Sequence, residues 1–98
     1  MSGMDQFMNF IKNGDKDRRL TPIHISLYTA LFYCWWLNDY AAFFQISRRV
    51  VMSLALIKST ATYHKCVSEM AAFGYIEYIP TYHPSMGSRV RLIFDHEI

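Results

Sequence analysis

The chain has 98 residues, 52% of them apolar, and a formal net charge of +2. That length gives room for one domain, and that apolar share can furnish its core. So small a net charge excludes any argument from overall basicity to a nucleic-acid partner, and the placement of charge has to decide.

In chain order, the first expected element is a short helix. Met4, Phe7, Met8 and Ile11 fall at i, i+3, i+4 and i+7, Ser2 and Asp5 have capping-box-like spacing, and Asn13-Gly14 supplies a stop. DKDRRL then reads as a charged linker. Thr21-Pro22 carries the signature of a helix start, and the helix runs to about Asn38. Ile23, Leu27, Leu31 and Cys34 or Trp35 make one apolar face, and Ile25, Tyr28, Phe32 and Trp36 a second. A helix apolar nearly all round needs cover on more than one side, from the N-terminal helix or from another subunit. Trp35 and Trp36 are neighbours, so they point about 100° apart and serve two different layers.

FFQI is a short candidate strand, and Ser47 can cap a helix with Val50, Val51, Leu54 and Ile57 inward. A turn near residues 56–58 leads to a second cap, Ser59. The helix after it has the inward stripe Tyr63, Cys66, Val67 and Met70 and stops at Gly74. Residues 75–79 are rich in β-formers, and residues 81–88 form a loop punctuated by Pro84 and Gly87. In residues 89–94 Val90, Leu92 and Phe94 alternate with Arg89 and Arg91, which completes a hairpin. The expected fold class is α+β, mainly α with a small antiparallel β-hairpin.

Charge is segregated along this order. No acid lies between Tyr40 and Ser68, a span holding Arg48, Arg49, Lys58 and Lys65. None lies between Tyr78 and Phe94, a span holding Arg89 and Arg91. The outward stripe of the helix after Ser59 is small, polar and faintly basic: Thr60, Ala61, His64, Lys65 and Ser68.

The order of elements and the run from Ser59 resemble the winged helix-turn-helix family over roughly residues 20–94. Many of its regulators carry Ser/Thr-x-x-Thr-Val-x-Arg-x-Ile-x-x-Leu-x-x-x-Gly-Leu/Tyr-Ile. Ser59, Thr62, Tyr63, Lys65, Val67, Met70, Gly74, Tyr75 and Ile76 match it in position. Tyr63 replaces a small aliphatic residue there. Lys65 replaces an arginine, which keeps a point charge for phosphate but gives up the bidentate fork. LTPIHISLY, STATYHKC, GYIEYIP and PSMGS are similar to small winged-helix proteins of bacterial mobile elements, some regulating transcription and some serving replication.

The resemblance implies a domain over residues 20–98, preceded over 1–19 by a helix and linker. Residues 60–73 would be the recognition helix and 81–88 the wing tip. It also implies double-stranded DNA as partner. Small Thr60, Ala61 and Thr62 would let the helix enter a major groove about 12 Å wide. The helix start at Ser59 suits a phosphate, and His64, Lys65 and Ser68 would face bases or backbone. Arg48, Arg49 and Lys58 would hold phosphates, with Arg89 and Arg91 reaching flanking phosphate or the minor groove. A homodimer is expected from the all-round apolar helix and the Met4/Phe7/Met8/Ile11 stripe.

Plainer readings stand beside these. The basic residues serve as solvated charges, Thr60 and Thr62 support a helix start, and Arg89 and Arg91 guard an edge strand. As a whole, the alternatives are a winged-helix protein-interaction module or a replication-associated initiator domain. No catalytic signature is present, so no enzyme, cofactor or small-molecule ligand is expected. His64-x-Cys66 lacks zinc spacing, and His24, His83 and His96 read as surface or capping residues. Tyr82 and His83 on the wing loop are candidates to stack on a nucleotide. Cys34 and Cys66 lie far apart within helical apolar patterns, as buried reduced thiols would. LYTALFYCWWL is shorter than the roughly 18 residues of a membrane span. The start lacks a basic region followed by an apolar run, so no signal peptide is expected and the location expected is cytoplasmic and nucleoid-associated.

Overall fold

The structure is a computed structural model describing residues 3–81 and 87–94. The chain runs through helices α1 (Gly3–Gly14) and α2 (Pro22–Leu37), strand β1 (Phe44–Ile46), helices α3 (Arg48–Ala55) and α4 (Thr60–Ala72), and strands β2 (Ile76–Ile79) and β3 (Ser88–Leu92). The result is an α+β domain. Ser2, Tyr82, His83, Pro84 and His96, all named from the sequence, lie outside the described residues.

Helix α2 is the platform, since α1, α3 and α4 all pack on it. Thr21 is its N-cap, as expected, but the reciprocal half of the cap comes from a histidine. The Thr21 backbone N–H donates to His24 Nδ1 at 2.8 Å. Nδ1 therefore holds a lone pair, which puts the ring proton on Nε2, 3.0 Å from Glu69 Oε1. Of the two readings of His24, surface or capping residue, the structure bears out the capping one: the side chain is buried and ties the start of α2 to the far half of α4.

The expected hairpin proves to be two-thirds of a sheet. β1 also joins it, giving three antiparallel strands in the order β1-β3-β2. Phe44 pairs with Val90, Tyr78 with Val90 on the other side, and Ile76 with Leu92. Alternation along the strands turns Phe44, Ile46, Ile76, Val90 and Leu92 inward against Leu27, Tyr28, Leu31, Tyr63 and Met70. Two glycines hold the strand entries. Gly74, at φ +90°, makes the turn that ends α4. At Gly87 an added Cβ would collide with the Ile46 carbonyl oxygen, so only glycine lets β3 begin beside β1.

The α4 stripe Tyr63, Cys66, Val67 and Met70 is buried as its spacing predicts. Helix α3 departs from expectation: Val51, Ala55 and Ile57 go inward, while Val50 and Leu54 are exposed. Ser47 caps α3 by accepting the Val50 N–H. Its far end turns at Leu56, whose φ of 59° is left-handed. That conformation costs an L-residue about 1 kcal/mol, and Ser26 of α2 helps hold the turn by donating its hydroxyl to the Ala55 carbonyl.

Helix α1 also departs from expectation. Its buried residue is Phe10, stacked on Tyr28 with ring centroids 3.8 Å apart. The Met4/Phe7/Met8/Ile11 stripe exists, but only Phe7 finds partial cover, against Phe32 at 5.0 Å. Nor is DKDRRL only a linker. Asp17 is buried, takes the Tyr75 hydroxyl at 2.6 Å, and is gripped by Arg19 at 2.8 and 2.9 Å. Arg19 in turn lies 4.4 Å over the Phe73 ring, so the segment before α2 is clamped to the end of α4. Hydrogen bonds from Arg19, opposed in part by burial and helped by Tyr75, hold the Asp17 carboxyl far below the usual carboxylate range.

Candidate nucleic-acid interface

Helix α4 presents a polar stripe because its other side is fully used. With Tyr63, Cys66, Val67 and Met70 inward, the 3.6-residue period leaves Thr60, Ala61, His64, Lys65 and Ser68 outward, and all five are exposed. The first turn carries no acid, and the first acid along the helix, Glu69, is engaged by His24. Ser59 caps the helix by accepting the Thr62 N–H at 3.2 Å. That amide is therefore committed, which narrows the amide surface expected over residues 59–62. The N–H groups of Thr60 and Ala61 precede any intrahelical partner.

The turn between α3 and α4 brings further cations to the same end. Lys58 and Ser59 share a hollow with Leu56 and Thr62, and Lys65 and Thr62 line the next one along with Arg19. Arg48 and Arg49 open α3 and are exposed. Arg48 is close enough to act on the Tyr63 hydroxyl, although burial prevails and pushes that group up to about 12. The first turns of both α3 and α4 lack any acid. Cations beside helix N-termini oppose the helix dipole, whose positive end favours acids.

Arg89 and Arg91 occupy the outer face of the sheet. The edge-guard reading fails, because β3 is the central strand. Their guanidinium carbons lie 5.2 and 5.7 Å from the Phe43 ring centroid. Arg91 is also committed to Glu77, its cross-strand partner, at 2.9 and 3.0 Å. The two arginines, alike in sequence, are thus unlike in the fold: Arg91 is half-buried and ion-paired, and Arg89 is exposed. Phe43 and Gln45 share this face and were not singled out from sequence. The alternation along FFQI, paired with that of β3, was the signal for both.

Cys34 and Cys66 are buried and unpaired. Burial raises both thiols, Cys66 to about 11, so neither is a ready thiolate at neutral pH. Among the described residues no three His, Cys, Asp or Glu side chains gather as metal ligands, and no helix is long and apolar enough to cross a membrane.

No family model, characterised protein or solved structure matches the chain, so the functional reading has only the geometry to stand on.

Proposed function

We propose that the chain is a winged helix-turn-helix protein that binds duplex DNA, acting in the cytoplasm as a regulator of transcription. In this reading α3, the turn over residues 56–59 and α4 form the helix-turn-helix, and the β2–β3 hairpin forms the wing. Strand order β1-β3-β2 beneath three helices supports it. The observation that carries the reading is the charge at the α3 and α4 N-termini. Arg48, Arg49 and Lys58 sit where helix dipoles repel cations, with no acid in either first turn to relieve them. External phosphates resolve that conflict, because one at each helix start satisfies the neighbouring side chains and the positive helix end together.

Within this arrangement Thr60, Ala61 and Thr62 give α4 a slim leading edge. His64, Lys65 and Ser68 are the side chains on its groove-facing stripe. Ser59 holds the helix start in shape, and phosphate contacts fix register while the α4 stripe reads bases. Arg89 supports the wing contact, and Arg91 chiefly holds the sheet together through Glu77.

The test is titration of a labelled duplex with the triple variant Arg48→Glu, Arg49→Glu, Lys65→Glu. These positions are exposed, so folding by circular dichroism is expected to persist while affinity falls by a hundredfold or more, about 1–3 kcal/mol for each lost contact before repulsion. A folded triple variant that binds as tightly as the parent would contradict the reading.

One observation favours a protein-interaction module instead. Val50, Leu54 and Leu56 are exposed on α3 and its turn, beside Ile23 of α2. A protein partner there would be lost with Leu54→Glu and kept in the triple variant.

A further inference from the structure

Helix α1 carries an apolar stripe that the domain does not cover. Met4, Met8 and Ile11 lie on one side of it, and Phe7 marks the edge where the stripe meets Phe32 of α2. Across that edge, α2 offers Tyr33, Trp36 and Leu37, also exposed. Between the helices runs a groove of about 470 Å³, whose walls include Met4, Phe7, Tyr33, Trp36 and Tyr40. Tyr40 is put there by two successive left-handed residues, Asp39 at φ 54° and Tyr40 at φ 60°. Its ring lies so close to Gly3 that an added Cβ would come within 2.8 Å of it. Tyr40 also donates its N–H to the Trp35 carbonyl and packs edge-on against the Trp35 ring at 4.7 Å, so the turn that ends α2 fixes one wall of the groove.

We propose that this α1–α2 face is a homodimer interface, with the α1 stripe of a second copy laid against the groove so that two α1 and two α2 helices form the contact. Area argues for a second copy. The apolar residues of this face are 43–64% exposed, and covering them removes on the order of 700 Å² per copy, given about 150–250 Å² for a large side chain. A stable interface takes about 800 Å² per partner. The charge pattern agrees. Apart from His24 at its start, α2 holds no ionisable group other than its tyrosines and Cys34, and the charges of α1 that border the stripe, Asp5 and Lys12, are exposed beside Met8. Self-complementarity follows from the shape, because the same chain supplies both the projecting stripe and the groove, as an isologous two-fold contact needs. This surface stands apart from the α4 stripe and does not depend on the DNA reading.

The experiment is sedimentation equilibrium of the full chain, from about one to a few hundred micromolar, for the parent, Trp36→Glu, Met8→Glu and Val50→Glu. The parent is expected to be dimeric. Trp36→Glu and Met8→Glu should each weaken the dimer about thirtyfold or more, as loss of a buried anchor does. Val50→Glu, in the other exposed apolar patch, should leave it unchanged. A parent that stays monomeric overturns the proposal, and so does a dimer that survives both charge insertions or is lost with Val50→Glu. Tryptophan quenching by acrylamide in the unmodified chain gives an independent reading. Quenching should fall as concentration carries the chain into the dimer, and concentration-independent quenching would count against the interface. Lys65→Ala should alter DNA binding and leave the dimer intact, so the two assignments fail separately.

Discussion

Helices α1 and α4 have the same kind of sequence, an apolar stripe at i, i+3, i+4 and i+7, yet the fold treats them in opposite ways. In α4 the stripe Tyr63, Cys66, Val67 and Met70 is buried against α2 and the sheet, which leaves a polar stripe to solvent. In α1 the stripe of Met4, Met8 and Ile11 lies in solvent, and the helix is held instead by Phe10 stacked on Tyr28. Periodicity shows that a face needs cover, but the source of the cover lies elsewhere. For α4 the cover is in the same chain, so what remains exposed is the polar stripe of the proposed DNA contact. For α1 the domain is already closed, and the leftover stripe is what a second copy would cover.

That contrast can be broken most directly by truncating one stripe at a time. Met70→Ala, at a fully buried position of α4, is expected to cost about 2–5 kcal/mol in urea unfolding. Met8→Ala on α1 should change the unfolding of the monomer by less than about 0.5 kcal/mol. Equal losses would mean that the α1 stripe is packed within the monomer and the contrast is false.

The clamp at Asp17 comes next in size. Tyr75→Phe removes a hydrogen bond to a buried carboxylate and should cost about 1.5–3 kcal/mol at neutral pH. Asp17 has a folded pKa below its unfolded one. Its contribution is therefore complete above the unfolded value near pH 4, and drains away as pH falls through the folded value. Acid unfolding of an Asp17→Asn variant should accordingly show a shallower loss of stability below about pH 4 than the parent. Identical acid limbs would remove Asp17 from the account.

A smaller effect of opposite sign is expected in the turn between α3 and α4. Leu56 is 82% exposed in a left-handed conformation, so it contributes little packing and bears the strain. Leu56→Gly should stabilise the chain by about 0.5–1 kcal/mol in the same urea assay. A destabilisation would mean that Leu56 packs on something in the folded monomer. The smallest difference lies within the sheet. Arg89→Ala should lower the salt slope of DNA binding by about one unit, whereas Arg91→Ala, already paired with Glu77, should leave it nearly unchanged.

Local pattern made α2, α4, the Gly74 stop and the β-formers legible in the sequence, because caps and 3.6- or 2-residue periods are written within a few neighbours. What escaped depended on distant partners. Asp17 meets Tyr75, 58 positions away, and nothing in DKDRRL marks that acid as the buried one. In the short helix α3, Val50/Val51/Leu54 and Val51/Ala55 are both acceptable stripes, and packing on α2 selected the second. The basic residues of the candidate site were legible as a charge pattern. The commitment of Arg91 to Glu77 required the strand register, which pairs the two directly.

The central claim is that the stripe of α4 and the N-terminus of α3 form a phosphate-binding surface. Its most direct test is fluorescence anisotropy of a labelled random-sequence duplex titrated with the chain at several salt concentrations. Counterion release by Arg48, Arg49, Lys58, Lys65 and Arg89 predicts a linear fall of log affinity with log salt, with a slope of about −4 to −5 per protomer. Binding that is absent at low salt, or that salt leaves unchanged, would contradict the account.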